Sequence, residues 1–283
     1  YMSKEIARLF DDAPVELELE QMDINKLDVN ALAAILKKLE FRSLLRNLPT
    51  AMQAVDGADI APVASVADIN IPQVVYVDSR TDISLKGDIV LHARSAGKHG
   101  ENPTAVLLSD KDRCYVFDLQ KSADSLTSIL KSQLAKIDSV VGHDLKNSLK
   151  VLLELNIDLP KVSHDTLLGA FIINSLRRDQ SLSEQAANDL GYETELESLD
   201  DEEFMTKAGE IVAVIRELAN RQGEQMSEVT SLIKMAEAVD WPVIPVLARI
   251  ERAGMKLDKP FLKSMSDDLE GRIEDTINDS LKQ

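Results

Sequence analysis

The spacing of apolar residues divides the chain into regions of different predicted structure. Up to about Asn47, apolar residues recur every three or four positions, as on one face of an amphipathic helix. The members of this stripe are Leu32, Ile35, Leu36, Leu39 and Leu44. Residues 49–72 lack this period, and they are interrupted at Pro49, Gly57, Pro62 and Pro72. We therefore predict an extended linker between a helical segment and the rest of the chain.

Short apolar runs replace the helical period from residue 73 onward. The runs lie at 74–77, 89–93, 105–108 and 115–117. Together with the polar turn at 109–113, they predict three or four strands joined by hairpins. A helix is predicted near 122–135, a buried strand at 139–142, and helices for the rest of the chain. A strand meander followed by a helix, a parallel strand and more helices is an α/β arrangement.

Capping residues mark the predicted helix starts. Asp165 precedes an apolar segment, and Ser181 with Glu184 has the spacing of a capping box. Asp200 and Glu203 repeat that spacing. Each pair can satisfy backbone amides that a helix leaves unbonded at its first turn.

Residues 242–258 predict a helix, a turn and a second helix. The first helix carries an apolar stripe made of Val243, Val246, Leu247 and Ile250. Gly254 suits a left-handed helix end, because glycine has no Cβ to oppose a positive φ. Asp258 can cap the next helix, whose first turn tolerates Pro260.

Composition indicates a globular chain with a full core. The chain has 283 residues, of which 44% are hydrophobic. No apolar run reaches the roughly 18 to 20 residues that span a bilayer, and the first residues lack the apolar core of a signal peptide. We therefore expect a cytoplasmic monomer with no membrane partner. The single cysteine, Cys114, excludes an intramolecular disulfide, and its alternating neighbours predict a buried strand residue rather than a nucleophile.

The formal charge of −17 argues against a free-standing nucleic-acid binder, since a phosphate backbone would be repelled. Histidine offers no clear metal site either. The four histidines, which lack the spacing of metal ligands, are His92, His99, His143 and His164. Trp241 lies beside Pro242 at a helix start, where packing is the favoured role over base stacking.

Several segments resemble family A DNA polymerases, in the same order along the chain. Residues 242–258 resemble the start of the thumb, and 12–19 resemble the end of the 5′-nuclease region. Between them, 77–82 (Val-Asp-Ser-Arg-Thr-Asp) resembles the first motif of the 3′–5′ exonuclease domain. Residues 141–146 (Val-Gly-His-Asp-Leu-Lys) resemble the second motif, and residues 165–174 resemble the helix after it.

The resemblance implies a ribonuclease H-like 3′–5′ exonuclease fold, a mixed sheet flanked by helices, with helical N- and C-terminal extensions. It also implies an organisation into four parts. These are a helical connector ending the 5′-nuclease region at 1–48, a linker at 49–72, the exonuclease domain at 73–238 and the start of the thumb at 239–283.

Active exonucleases of this family hold two divalent metals with four carboxylates, which activate water and stabilise the leaving oxygen. Their first motif is Asp-x-Glu, and here Asp78 is kept while Arg80 replaces the glutamate. A guanidinium cannot bind a cation. The aspartate of the second motif corresponds to Ser148.

The third motif of the family, Tyr-x-x-x-Asp, aligns with Ile211 and Ile215. Both residues are apolar, and they share a helical stripe with Val214 and Leu218, so a catalytic face has become a predicted packing surface. Three of the four expected carboxylates are therefore replaced, and the exonuclease-like domain is expected to be inactive and structural.

One alternative is an active exonuclease with a rearranged metal site. Its possible ligands are Asp78, Asp82, Asp144 and Asp165. Asp82 suits a turn and Asp165 a helix cap, which leaves Asp78 and Asp144 as weak metal candidates. A second alternative is a stand-alone acidic interaction module.

The favoured hypothesis is a fragment of a DNA-directed DNA polymerase acting in replication and repair. The fragment would need no cofactor, whereas magnesium is expected for the parent polymerase. Primer-template DNA would bind through a polymerase domain outside this chain. No polymerase motif for nucleotide or magnesium occurs before Gln283.

Overall fold

The structure is a computed structural model that describes residues 69–281, together with residues 31, 32, 35, 36 and 44. The chain divides into two units, Tyr1–Ala67 and Asp68–Gln283. The few described residues of the first unit are helical, as their apolar period predicts. The resemblance at 12–19 and most of the predicted linker lie outside the described residues. The division at 67/68 falls within that linker.

Six strands form one sheet in the second unit. They are β1 (Gln73–Tyr76), β2 (Ile89–Ser95), β3 (Pro103–Ser109), β4 (Arg113–Asp118), β5 (Ser139–Gly142) and β6 (Lys161–Asp165). Their order across the sheet is β1-β4-β3-β2-β5-β6. The pairs β2–β3 and β3–β4 are antiparallel, and the pairs β1–β4, β2–β5 and β5–β6 are parallel. The sheet is therefore mixed, with β2 and β3 at its centre.

Helices cover the sheet and extend beyond it. They are α1 (Leu119–Leu134), α2 (Leu145–Glu154), α3 (Thr166–Ile173), α4 (Leu182–Gln185), α5 (Asp201–Thr206), α6 (Ala208–Ser227), α7 (Thr230–Met235), α8 (Trp241–Ala253) and α9 (Lys259–Leu281). A 3₁₀ turn, Lys98–Gly100, lies between β2 and β3. Short π-helical turns join α4 to the following loop and α7 to α8. This mixed sheet with flanking helices confirms the predicted α/β class.

The predicted caps form. Asp165 accepts hydrogen bonds from the amides of Leu167 and Leu168 at the start of α3. Ser181 caps α4, because its side chain accepts a hydrogen bond from the amide of Glu184. Asp200 and Glu203 form a complete capping box at α5.

Strand β6 is a correction to the prediction, which gave helix to all residues after 142. The polar residues Ser163 and His164 break the apolar run that marked the other strands. Only Val162 and Asp165 of this strand are buried. Pairing with β5 holds these residues in a strand, and a single sequence does not display that pairing.

The core lies between the sheet and its helices. The largest fully buried side chains come from β2 to β4, α1, α2 and α6, and include Leu91, Leu107, Phe117, Leu130, Leu149 and Ile215. Cys114 is fully buried in β4, as predicted. Burial raises the pKa of its thiol to about 12, which keeps it protonated and unreactive.

Helix α8 turns one face to the core, with Trp241, Ile244 and Ala248 buried. The predicted stripe of Val243, Val246, Leu247 and Ile250 is helical but faces outward. Gly254 ends the helix at φ +67°, and Asp258 accepts a hydrogen bond from the amide of Phe261 in α9. Every residue of α9 whose burial is described is exposed. No helix among the described residues is long and apolar enough to cross a membrane.

Candidate functional site

Asp78 and Arg80 lie in an exposed turn after the edge strand β1. The carboxylate of Asp78 accepts hydrogen bonds from the Arg80 amide at 2.9 Å and the Thr81 hydroxyl at 2.8 Å. These bonds hold the pKa of Asp78 below its usual value, the Thr81 bond having the largest effect. Asp78 is thus a turn residue that uses its oxygens locally.

Asp144 lies far from Asp78. It precedes α2, immediately after β5, and three strands separate β5 from β1. At the usual spacing of neighbouring strands, that is roughly 19 Å across the sheet. One metal ion cannot bind both carboxylates, so the proposed pairing of Asp78 and Asp144 is wrong. Asp82 is also exposed, in the segment between β1 and β2.

Ser148, which aligns with the aspartate of the second motif, contacts strand β2. Its hydroxyl oxygen accepts a hydrogen bond from the backbone amide of Ala93 in β2, at 3.1 Å. β2 lies next to β5, whereas β1 is the outer strand of the sheet. A first-motif carboxylate that shared a metal with residue 148 would therefore have to lie on β2, between His92 and Ser95. The assignment of the first motif to 77–82 is corrected accordingly.

None of the four residues from His92 to Ser95 carries a carboxylate. Ala93 has only a methyl group, and the Ser95 hydroxyl donates to the carbonyl oxygen of Gly97 at 3.2 Å. Because these positions carry no acidic group, the sequence gives no signal for them. The apolar run that ends in Asp78 offered a false match.

Arg94 fills space at the end of β2. Its guanidinium donates to the carbonyl oxygens of Leu199 at 2.5 Å and Asp200 at 3.0 Å. It also pairs with the carboxylate of Asp201 at 3.1 Å. Its central carbon lies 5.4 Å from the ring centroid of Phe204. The guanidinium of Arg94 and the ring of Phe204, which belongs to α5, therefore cover the end of this strand.

His92 lies beneath that cover. Its ring centroid is 5.8 Å from that of Phe204. Its buried Nδ1 has no hydrogen-bond partner within the described residues. Burial lowers the pKa of this histidine, which favours the neutral form.

Asp165 and Asp144 are the carboxylates at the ends of β6 and β5. Asp165 is buried and accepts three backbone amides, from Leu145 at 2.6 Å, Leu167 at 2.9 Å and Leu168 at 3.1 Å. It therefore caps α2 and α3 together. Burial raises its pKa to about 6, against the lowering effect of these hydrogen bonds. The Asp144 side chain bonds to Asn147.

A buried polar network lies behind these carboxylates. His143 Nδ1 is 2.9 Å from the hydroxyl of Thr166. Gln222 of α6 donates to the Thr166 carbonyl at 3.0 Å, and its side-chain oxygen lies 2.8 Å from His164 Nε2. Burial lowers the pKa of His143 to about 3. The role of Gln222 was missed in the sequence, because a glutamine near the end of a helix has no motif around it.

Ile211 and Ile215 lie on the buried side of α6, with 1% and 0% of their surface exposed. The expected apolar packing surface is present at the positions aligned with the third motif. Among the described residues, no group of three or more histidine, cysteine, aspartate or glutamate side chains is arranged to hold a metal ion.

The chain is similar to DNA polymerase I from several bacteria. It is 24% identical to the protein of Caldicellulosiruptor bescii, over 96% of this chain and 29% of that protein. The Bacillus subtilis protein is also 24% identical, over 97% of this chain and 32% of its own length. The Pseudomonas aeruginosa protein is 22% identical over 95% of this chain.

The resemblance to DNA polymerase I is confirmed. The chain spans about a third of the length of these relatives. No protein-family profile matches it.

Solved structures agree on the fold. The polymerase domain of Pol1 from Mycobacterium smegmatis, in complex with DNA primer-template and dNTP, matches 68% of this chain with a TM-score of 0.57 and 22% identity, over 33% of that chain. Brucella melitensis NrnC bound to pGG matches 65% of this chain, with a TM-score of 0.51 and 15% identity, over 95% of NrnC. These matches confirm the predicted fold class, a mixed sheet flanked by helices.

Proposed function

We propose that this chain is the exonuclease-like region and thumb start of a DNA polymerase I-type protein, in which the exonuclease-like domain is a structural part. The whole protein would carry out template-directed nucleotide addition in DNA replication and repair. Similarity to DNA polymerase I along almost the entire chain supports this proposal.

The contact between Ser148 and Ala93 is the observation that carries the structural role. Two-metal hydrolysis needs carboxylates facing each other from β2 and α2, because each metal carries two positive charges. A hydroxyl and a backbone amide meet there instead, at 3.1 Å. Next to them, the guanidinium of Arg94, paired with Asp201, occupies the same end of the sheet.

The remaining carboxylates do not compensate. Asp165 gives both oxygens to backbone amides, so metal binding would break the caps of two helices. Asp144 is left as a single acidic side chain near it. Two-metal chemistry cannot be built on one available carboxylate.

A nuclease assay tests the structural role. The purified chain is incubated with an end-labelled single strand and magnesium or manganese, and we expect no shortening. Asp144→Ala serves as the control, because it removes the available carboxylate without disturbing the Asp165 caps. If the unsubstituted chain shortens the strand and Asp144→Ala abolishes this activity, a rearranged exonuclease site is established and the proposal is overturned.

The polymerase role concerns the protein from which this sequence comes. The Mycobacterium smegmatis relative is described in complex with DNA primer-template and dNTP, and we propose the same partner for the whole protein here. Magnesium would act in its polymerase site, outside the described residues. Primer extension by a protein that continues past Gln283 is the test. Lack of extension by such a protein would contradict the proposed polymerase role.

A further inference from the structure

One carboxylate joins the end of α8 to two turns of α2. Glu251 Oε1 lies 2.8 Å from Lys146 Nζ, and Glu251 Oε2 lies 2.9 Å from Lys150 Nζ. The two lysines are four residues apart, so they lie one above the other on α2. Glu251 thus bridges both ammonium groups with its two oxygens.

The surroundings of this triad favour a specific role over a surface ion pair. Only 7% of the Lys150 side chain is exposed, and a lysine is almost never so buried without a charged partner. Glu251 is in the last turn of α8, where the helix dipole disfavours an anion. The two lysines supply the interaction that offsets both costs. They also hold the pKa of Glu251 down at about 2, with the Lys146 hydrogen bond as the largest cause.

The neighbouring residue provides a second connection. Arg252 pairs with Glu154 at the other end of α2, and it donates to the carbonyl oxygen of His99 at 3.2 Å. Earlier along α8, the buried residues are Trp241, Ile244 and Ala248. Apolar packing therefore holds the first turns of α8, and ion pairs hold its last turn. The chain then leaves the domain through Gly254 and the exposed helix α9.

We propose that Glu251 is a positioning residue that fixes the last turn of α8 on α2, so that the segment leaving the exonuclease-like domain starts from one defined place. That this segment begins a polymerase thumb rests on the proposed function, whereas the fixing of α8 does not. The degenerate domain would then serve as the support on which the following domain is mounted.

Hydrogen exchange followed by mass spectrometry measures this directly. In Glu251→Gln, we expect the amides of 248–254 to lose protection while those of 211–218 in α6 stay protected. The matched control is Glu270→Gln, at an exposed position of α9, which should change neither segment. Salt at about 1 M should also weaken the protection of 248–254 in the unsubstituted chain, because the ion pair of Glu251 with Lys146 is accessible to ions.

A second substitution separates ionic fixing from simple packing. Glu251→Gln leaves the buried Lys150 without its partner, so adding Lys150→Met should restore part of the lost protection. Unchanged exchange at 248–254 in Glu251→Gln would overturn the proposal. Equal loss at 211–218 would also overturn it, since that result indicates general unfolding. These measurements need neither DNA nor nucleotide, so a failed primer-extension assay would leave their outcome intact.

Discussion

The hydroxyl oxygen of Ser148 accepts a hydrogen bond from the backbone amide of Ala93 at 3.1 Å. This amide lies beyond the last residue of β2 that pairs with β5, and the serine supplies the partner that the sheet does not. Ser148 is 1% exposed, so the bond gives its buried hydroxyl oxygen a partner. Under the proposed function, this small neutral contact occupies the place where a two-metal nuclease would need negative charge.

Ile215→Asp tests the packing of α6. The side chain is fully buried, so an aspartate would be an uncompensated charge among apolar residues. We expect the free energy of unfolding to fall by about 3 to 5 kcal/mol. Urea denaturation measures this, with the exposed Asn220→Asp on the same helix as the control. Similar midpoints for the two variants would contradict the buried position of Ile215.

Asp165→Ala and Asp78→Ala should differ strongly in stability. Asp165 caps two helices through three backbone amides, and its loss is expected to cost about 2 to 4 kcal/mol. Asp78 stabilises only an exposed turn, so its replacement should cost under about 1 kcal/mol. Thermal denaturation of both variants provides the comparison. A larger effect at Asp78 would show that its turn has a role beyond local structure.

Stability should fall as the pH decreases from neutrality toward 5. Burial lowers the pKa of His143 from its usual 6.5 to about 3, so in this interval the unfolded chain binds a proton that the folded chain excludes. The contribution of His143 is complete above pH 6.5 and is lost as the pH falls. His92 and His164 act in the same direction, because burial lowers the pKa of each.

Asp165 opposes this trend over part of the interval. Its pKa, raised to about 6 by burial, means that the folded chain takes up a proton before the unfolded chain does. Its contribution is complete below pH 3.8 and is lost as the pH rises through 6. Urea midpoints from pH 7 to 5 measure the balance, and His143→Gln should flatten the decline. A decline equally steep in that variant would contradict the assignment to His143.

The chain alone should bind duplex DNA weakly at physiological salt. Its formal charge is −17. We expect binding weaker than that of ordinary non-specific binders, whose dissociation constants are roughly 10⁻⁴ to 10⁻⁶ M. Fluorescence anisotropy with a labelled primer-template, across a salt series, measures this for the chain and for a longer protein that includes it. Micromolar binding by the chain alone, lost steeply on adding salt, would show a local basic surface that overcomes the net charge.

The strands at the centre of the sheet could be predicted because their apolar runs are bounded by turns. Val90 to Ala93 and Val106 to Leu108 are examples of such runs. β6 was missed because its residues 163 and 164 are polar, and their partners lie on β5 and α6. Local sequence carries the period of a strand, but only the folded chain supplies its neighbours.

The candidate site was harder to predict than the fold. The resemblance correctly predicted a buried packing surface at Ile211 and Ile215, but it placed the first motif after β1, far from Ser148. Ala93 and Ser95 carry no acidic group, so no pattern marked them. The contacts of Glu251 with α2 are equally invisible in one sequence, since about a hundred residues separate Lys150 from its partner.

The bond between Ser148 and Ala93 also bears on the evolutionary history of the domain. An aspartate introduced at 148 alone would be buried without a second carboxylate beside it on β2. Such a single step back would therefore lower stability before any hydrolysis could return. Reversion would require several simultaneous changes, including one that moves Arg94 away. If the domain is structural, as we propose, selection acting on one substitution at a time would keep it without hydrolytic activity.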